Sequence, residues 1–201
     1  MRSQRLHKDE RHEQLLSVAN QIIREEGTEA LTLITLADKA GVTKPITYRH
    51  FGNRKTLLHI LFQQTYTQVA ETMQQQILKD ATCLKDAVRI FAGTCINCMD
   101  NHGKEFSAII SALKAYPEYE QIDLEVQDFY CNTLQSSLAP FLPEGYQIPK
   151  LTLIMIYGAT NAAGGMLLNG LITKDEMVHN VTRLICTQLA HGCDHAINPK
   201  E

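Results

Sequence analysis

Between Gly52-Asn53 and Leu78, apolar side chains return at three- and four-residue intervals: Leu57, Leu58, Leu61, Phe62, Tyr66, Val69, Met73 and Ile77. That is the period of one face of an α-helix. Sustained over roughly 25 residues, it makes a rod about 37 Å long at helical rise. Such a rod can join two modules, and the rest of the chain follows the same period. Further helices are predicted over 9–26, 33–40, 44–51, 84–99, 106–115, 118–139 and 150–169. The last begins at Thr173, where Thr-Lys-Asp-Glu fits a capping box, and Gly192 is expected to end it. No stretch alternates as a strand would, and no internal repeat or low-complexity tract is visible. The fold class expected is therefore all-α, with about nine helices.

Charge divides the chain unevenly. Residues 1–56 hold ten Lys+Arg against seven Asp+Glu; the remainder holds nine against fifteen, giving the overall −3. A basic end on an acidic body suits one nucleic-acid-facing module attached to something else. Six cysteines follow a polar, charged N-terminal stretch that is not a signal peptide, so reduced thiols in a cytoplasmic setting are expected rather than disulfides. Residues 151–173 carry no charge and are long enough to span a bilayer. Asn161, Asn169 and several threonines and glycines argue instead for a helix buried on most sides by protein, and no membrane partner is expected.

The chemistry concentrates in residues 41–55. Gly41 can take the left-handed conformation that closes a helix, and Thr43 can cap the next. Pro45 falls in a first turn, where a missing N–H costs nothing. Lys44, Thr47, Tyr48, Arg49 and His50 then crowd donors onto about two turns of helix, leaving Ile46 and Phe51 to hold it down. A donor-rich short helix after a tight turn is what a helix-turn-helix places in the major groove. Lys44 can reach guanine acceptors and Thr47 a thymine methyl; Thr32, Thr43, Tyr48, His50 and Lys55 suit phosphate oxygens. The DNA-contact set expected from the residues is thus Thr32, Thr43, Lys44, Pro45, Thr47, Tyr48, Arg49, His50 and Lys55.

The run Thr32 to Thr43, with its Ala-Gly-Val-Thr ending, followed by Tyr48-Arg49-His50-Phe51 and Lys55-Thr56-Leu57-Leu58, resembles the N-terminal signature of TetR-family transcriptional regulators. Two positions depart from the usual pattern. Ile46 and Thr47 look swapped relative to the common small-then-aliphatic order, which leaves open which faces DNA. Thr35 stands where many members carry an acidic residue, removing one capping partner for Thr32.

The resemblance implies a three-helix DNA-binding domain over 1–53 and a helical regulatory and dimerisation domain over 54–201. It implies phosphate contacts from Tyr48, His50 and Lys55, and a homodimer formed through the last two long helices. It also implies a small-molecule effector held among the middle helices. Candidates for that pocket are Phe91, Phe106, Ile110, Phe129, Tyr130, Tyr157 and Asn161. The function expected is a ligand-responsive repressor released from a palindromic double-stranded DNA operator.

No Gly-rich phosphate loop, GxSxG or HExxH is present, so no enzyme activity and no cofactor are expected. Cys95-Ile96-Asn97-Cys98 is a CxxC within a helical pattern and reads as core thiols. His191, Cys193, Asp194 and His195 are possible metal ligands but equally a polar tail, so no metal is expected. The alternative function is a regulator that senses oxidation or metal through these Cys and His residues.

Overall fold

The computed structural model describes residues 7–197, with side-chain surroundings through residue 190. Its helices are α1 Lys8–Glu26, α2 Leu33–Lys39, α3 Lys44–Phe51, α4 Arg54–Asp80, α5 Leu84–Leu113, α6 Ile122–Leu138, α7 Lys150–Leu168 and α8 Lys174–Ile197. Short 3-10 turns stand at Thr28–Ala30, Pro117–Tyr119 and Ala139–Phe141. Among the described residues there is no strand. The all-α expectation holds, with eight α-helices in place of about nine.

The difference in count lies at Gly103. The sequence predicts separate helices over 84–99 and 106–115, yet α5 runs unbroken through the His102-Gly103 pair between them. A Cβ at Gly103 would sit 3.1 Å from both methyls of Leu168. This glycine therefore permits close approach of α7 to α5 rather than stopping the chain. Gly164 of α7 repeats the arrangement, with Met99 Sδ 3.0 Å from where its Cβ would be. Two other boundaries moved. Pro117 starts a 3-10 turn, so α6 begins at Ile122, and α8 passes through Gly192 to Ile197.

By internal contacts the chain forms two compact units: Met1–Thr65 with Glu105–Ile122, and Tyr66–Lys104 with Asp123–Glu201. The first takes in the start of α4 and the end of α5 along with α1–α3.

In the first unit, Leu15, Ala19, Ile22 and Ile23 give α1 a buried face that meets α2. Leu31, Leu36, Phe51, Leu57, Leu58 and Leu61 are closed off from solvent with them, as are Ile109, Leu113 and Ile122. In the second unit one apolar cluster takes Met73 and Ile77 from α4 and Val88, Phe91, Ala92 and Ile96 from α5. To it α6 adds Tyr130, Leu134 and Leu138, α7 adds Leu153, Ile156 and Leu167, and α8 adds Met177, Val181, Ile185 and Leu189.

The predicted capping box of α8 is present. Glu176 accepts from the Thr173 N–H at 2.8 Å, and Thr173 Oγ1 accepts from the Glu176 N–H at 3.2 Å. Helix α7 is less enclosed than its composition suggests. Leu151, Met155 and Met166 stand 69%, 59% and 45% exposed, and Gly158, Ala159 and Ala162 are exposed on the same stretch. By length and composition this helix could cross a membrane.

Candidate nucleic-acid interface

The turn between α2 and α3 is built as a double closure. Gly41 sits at φ +65°, the Val42 N–H donates to Ala37 O at 3.0 Å, and the Gly41 N–H donates to Asp38 O at 3.3 Å. This six-to-one and five-to-two pairing satisfies carbonyls that a helix end otherwise leaves bare. At the other end of α2, Thr32 Oγ1 accepts from the Thr35 N–H at 3.0 Å, and Thr35 Oγ1 accepts from the Thr32 N–H at 2.9 Å. The capping box is therefore complete, and the expected loss of a capping partner at Thr35 is corrected: its hydroxyl takes the role a carboxylate would play. Thr35 also donates to Ala30 O at 2.7 Å, which ties the preceding 3-10 turn to the cap.

Helix α3 starts from Thr43 in extended conformation, with Pro45 in its first turn. Thr43 occupies the N-cap position, but its side chain makes no capping hydrogen bond, contrary to the role expected for it. The helix is held from beneath by Phe51 and Thr47, both buried. Thr47 Oγ1 lies 2.9 Å from Leu33 O on α2 and 2.9 Å from Lys44 O. Thr47 is fully closed to solvent, so its expected contact with a thymine methyl is corrected: this residue anchors the helix. Ile46, half-buried, is the more outward of the pair. Thr43, Lys44, Pro45, Tyr48 and Arg49 are all exposed, and Tyr48 is 49% exposed. Five of the expected contact residues thus share the open side of one short helix.

His50 is half-buried at the helix end. Its Nδ1 lies 3.3 Å from Nδ1 of His12 on α1, and both rings lie against Phe51. One imidazole must donate and the other accept, so the pair shares a single proton in that contact. Burial first, then the neighbouring His12, Lys8, Arg11 and Arg49 charges, hold the His50 imidazole below its usual range.

The start of α4 closes this region. Asn53 Oδ1 accepts from the Thr56 N–H at 2.9 Å and so caps it. Arg54 turns inward: Nε donates to Leu31 O at 2.8 Å and Nη2 to Thr28 O at 2.7 Å. Arg54 Nη1 also lies 3.5 Å from the Tyr116 hydroxyl. Lys55 is half-buried and pairs with Glu118 at 2.5 Å, with its Nζ 5.9 Å from the centre of the Tyr116 ring. Nothing in the motif announced these partners, because Glu118 is 63 residues further along the chain. His12 was missed for the same reason.

Of the seven residues expected at an effector pocket, two lie in the first unit and five in the second. Phe106 and Ile110 belong to the first unit, where Phe106 stacks on Phe62 with ring centres 5.6 Å apart. In the second unit, Phe91 meets Tyr130 edge-on at 5.4 Å, and Tyr130 lies 5.4 Å from Tyr157. The Tyr130 hydroxyl donates to Thr160 Oγ1 at 3.3 Å. Phe129 pairs with Tyr66 at 4.5 Å, a residue read only as part of the α4 stripe. Asn161 is exposed on α7.

Burial pushes the thiols of Cys95, Cys98, Cys131 and Cys186 upward, which disfavours the thiolate that oxidation and metal binding require. Among the described residues no three His, Cys, Asp or Glu side chains gather as a metal site would need. The C-terminal group of His191, Cys193, Asp194 and His195 lies outside the residues whose side chains are described.

Residues 15–61 match the family model described as bacterial regulatory proteins of the tetR family. The HTH-type transcriptional activator FasR of Mycolicibacterium smegmatis is 33% identical over 76 residues, or 38% of this chain. That match spans only about a third of FasR, 35% of its length. Among solved structures, the fatty acid degradation regulator FadR of Bacillus halodurans has a TM-score of 0.66 at 21% identity, covering 89% of this chain and 94% of FadR. FadR of Bacillus subtilis in complex with stearoyl-CoA has a TM-score of 0.62 at 22% identity, covering 89% and 97%. A TetR-like transcriptional regulator from Rhodococcus sp. RHA1 has a TM-score of 0.65 at 19% identity, covering 92% and 99%. The open helix at 44–51, its anchoring threonine and its capped neighbours fall inside the matched stretch, so residues 15–61 are similar to the N-terminal domain of bacterial regulatory proteins of the tetR family.

Proposed function

We propose that this chain is a ligand-responsive transcriptional regulator that binds a palindromic operator as a homodimer. The observation that carries the reading is the sidedness of α3. Thr47 and Phe51 fasten one side to the body, while Thr43, Lys44, Pro45, Tyr48 and Arg49 stand open on the other. A cationic, donor-rich face on a rigidly held short helix is suited to a major groove. Thr32, His50 and Lys55, all half-buried, are assigned in this reading to the phosphates, which set register without reading sequence.

The exposed side of α7 supports the dimer. Leu151, Met155 and Met166, with the small residues between them, form an uncharged strip on the helix that packs against α8. A second copy of the same helix pair would cover it in a four-helix arrangement. The small residues allow close backbone approach. Two reading helices about 34–36 Å apart could then enter successive grooves of a palindrome. No membrane is needed to account for the strip, and the cytoplasm is the proposed place of action.

The effector proposed is an elongated apolar molecule, with long-chain acyl-CoA as the class to try first. Two structural neighbours are fatty acid regulators by name, one of them solved with stearoyl-CoA. In this chain the half-buried rings of Tyr66, Phe129 and Tyr157 supply aromatic surface in the second unit. Effector binding would favour a state of the dimer whose spacing mismatches the operator, lowering affinity by the difference in binding energy. Repression is the proposed mode. Activation is the second reading, favoured by the name of the curated relative.

Selection of bound sequences from random duplex DNA tests the whole reading. Paired half-sites should emerge, and stearoyl-CoA should release them. Failure to retain any duplex at low salt would refute it. Transcription from a promoter carrying the selected site separates repression from activation.

A further inference from the structure

We propose that Glu118 competes with the DNA backbone for Lys55, so that the segment joining α5 to α6 sets the affinity of the DNA-binding face. The inference rests on the reading of Lys55 as a phosphate contact. Lys55 lies in the first turn of α4, where both a cation and the helix N-terminus favour a phosphate. In this structure its ammonium is already held by a carboxylate.

The hold is one of three contacts in register. Tyr116 reaches Arg54, Glu118 reaches Lys55, and Tyr119 lies against His59 one turn further along, with ring centres 4.8 Å apart. Residues 116–119 therefore run along the first two turns of α4, and the 3-10 turn Pro117–Tyr119 fixes Glu118 among them. Lys55 in turn lowers the Glu118 carboxyl below the usual carboxylate range.

An ammonium paired to a carboxylate must break or share that pair to reach a phosphate oxygen, and the carboxylate itself repels the backbone. Both effects weaken DNA binding. The pair is solvent-exposed, so phosphate can still win; the competition tunes affinity rather than blocking it.

The test is a salt titration of duplex binding by fluorescence anisotropy on the full chain, using a random-sequence 30-base-pair duplex and, separately, a selected operator. Glu118→Gln should tighten both two- to five-fold and steepen the salt dependence by about one ion. In a Lys55→Ala background the same change should gain nothing beyond a small uniform repulsion effect. Equal binding by E118Q and the parent overturns the inference, as does an undiminished gain when Lys55 is absent. A parent protein that binds neither duplex sinks the regulator reading instead. Circular dichroism melts of each variant separate loss of fold from loss of contact.

Discussion

Replacing Thr47 by valine separates an anchoring residue from a base-reading one. Valine keeps the shape and the buried methyl and removes only the hydroxyl. That hydroxyl sits 2.9 Å from two carbonyls, Leu33 O and Lys44 O, but has one proton to give. Both acceptors lie within helices and retain backbone partners, so no buried group is orphaned. The loss should be that of one ordinary intramolecular hydrogen bond, about 1 kcal/mol. For a chain of this size that lowers Tm by about 2–4 °C. Thr47→Ala should cost roughly a further 1 kcal/mol, because it also strips a methyl from a fully closed site. Thermal melts followed at 222 nm measure both. Selection from random duplex DNA should return the parent's consensus for T47V, with no single base pair relaxed. A T47V protein that melts like the parent but changes its preference at one base pair would refute the anchoring argument and restore Thr47 to the groove.

Other outcomes follow from the same geometry. Arg54→Met should destabilise the chain by about 3 kcal/mol, the lower end for two charge-assisted bonds to backbone carbonyls, because the side chain is partly exposed; the urea midpoint reports it. Arg54→Lys should rescue it poorly, since a single ammonium cannot reproduce the fork. His50, held below its ordinary value of 6.5, binds its proton more weakly folded than unfolded. Stability should therefore fall as pH drops through 6.5 toward the folded value, and His50→Gln should flatten that slope in melts taken at pH 5 to 8. Met155→Glu, on the exposed strip of α7, should leave the helical signal intact and convert dimer to monomer in sedimentation; an unchanged sedimentation coefficient would place the interface elsewhere.

Local rules were the most legible part of this sequence. Gly41 after a helical pattern, Thr32 before one, and the Thr173–Glu176 pair each act through neighbours within a few residues, and each stands as expected. What stayed hidden depends on partners distant in sequence. Gly103 looks like a terminator until Leu168 is seen against it. Thr47 looks like a donor for DNA until Leu33 O is found 14 residues upstream. Lys55 looks like a cation free for phosphate, yet it serves a carboxylate at 118, and its neighbour Arg54 serves carbonyls at 28 and 31. In each case the residue type was compatible with both roles, and only tertiary packing chose between them. The candidate pocket was the least legible, since aromatic residues at helical spacing describe a core and a binding site equally well.

The first compact unit draws on two separate stretches of chain, and this limits how such a protein can be rearranged. A fragment ending at residue 65 would bare the faces of Phe62 and His59 that Phe106 and Tyr119 cover. Recombination that grafts a foreign reading head at that point must therefore match the recipient's residues 105–122 as well as its own. Exchange of heads between relatives should succeed as a two-piece transplant and fail as a simple splice.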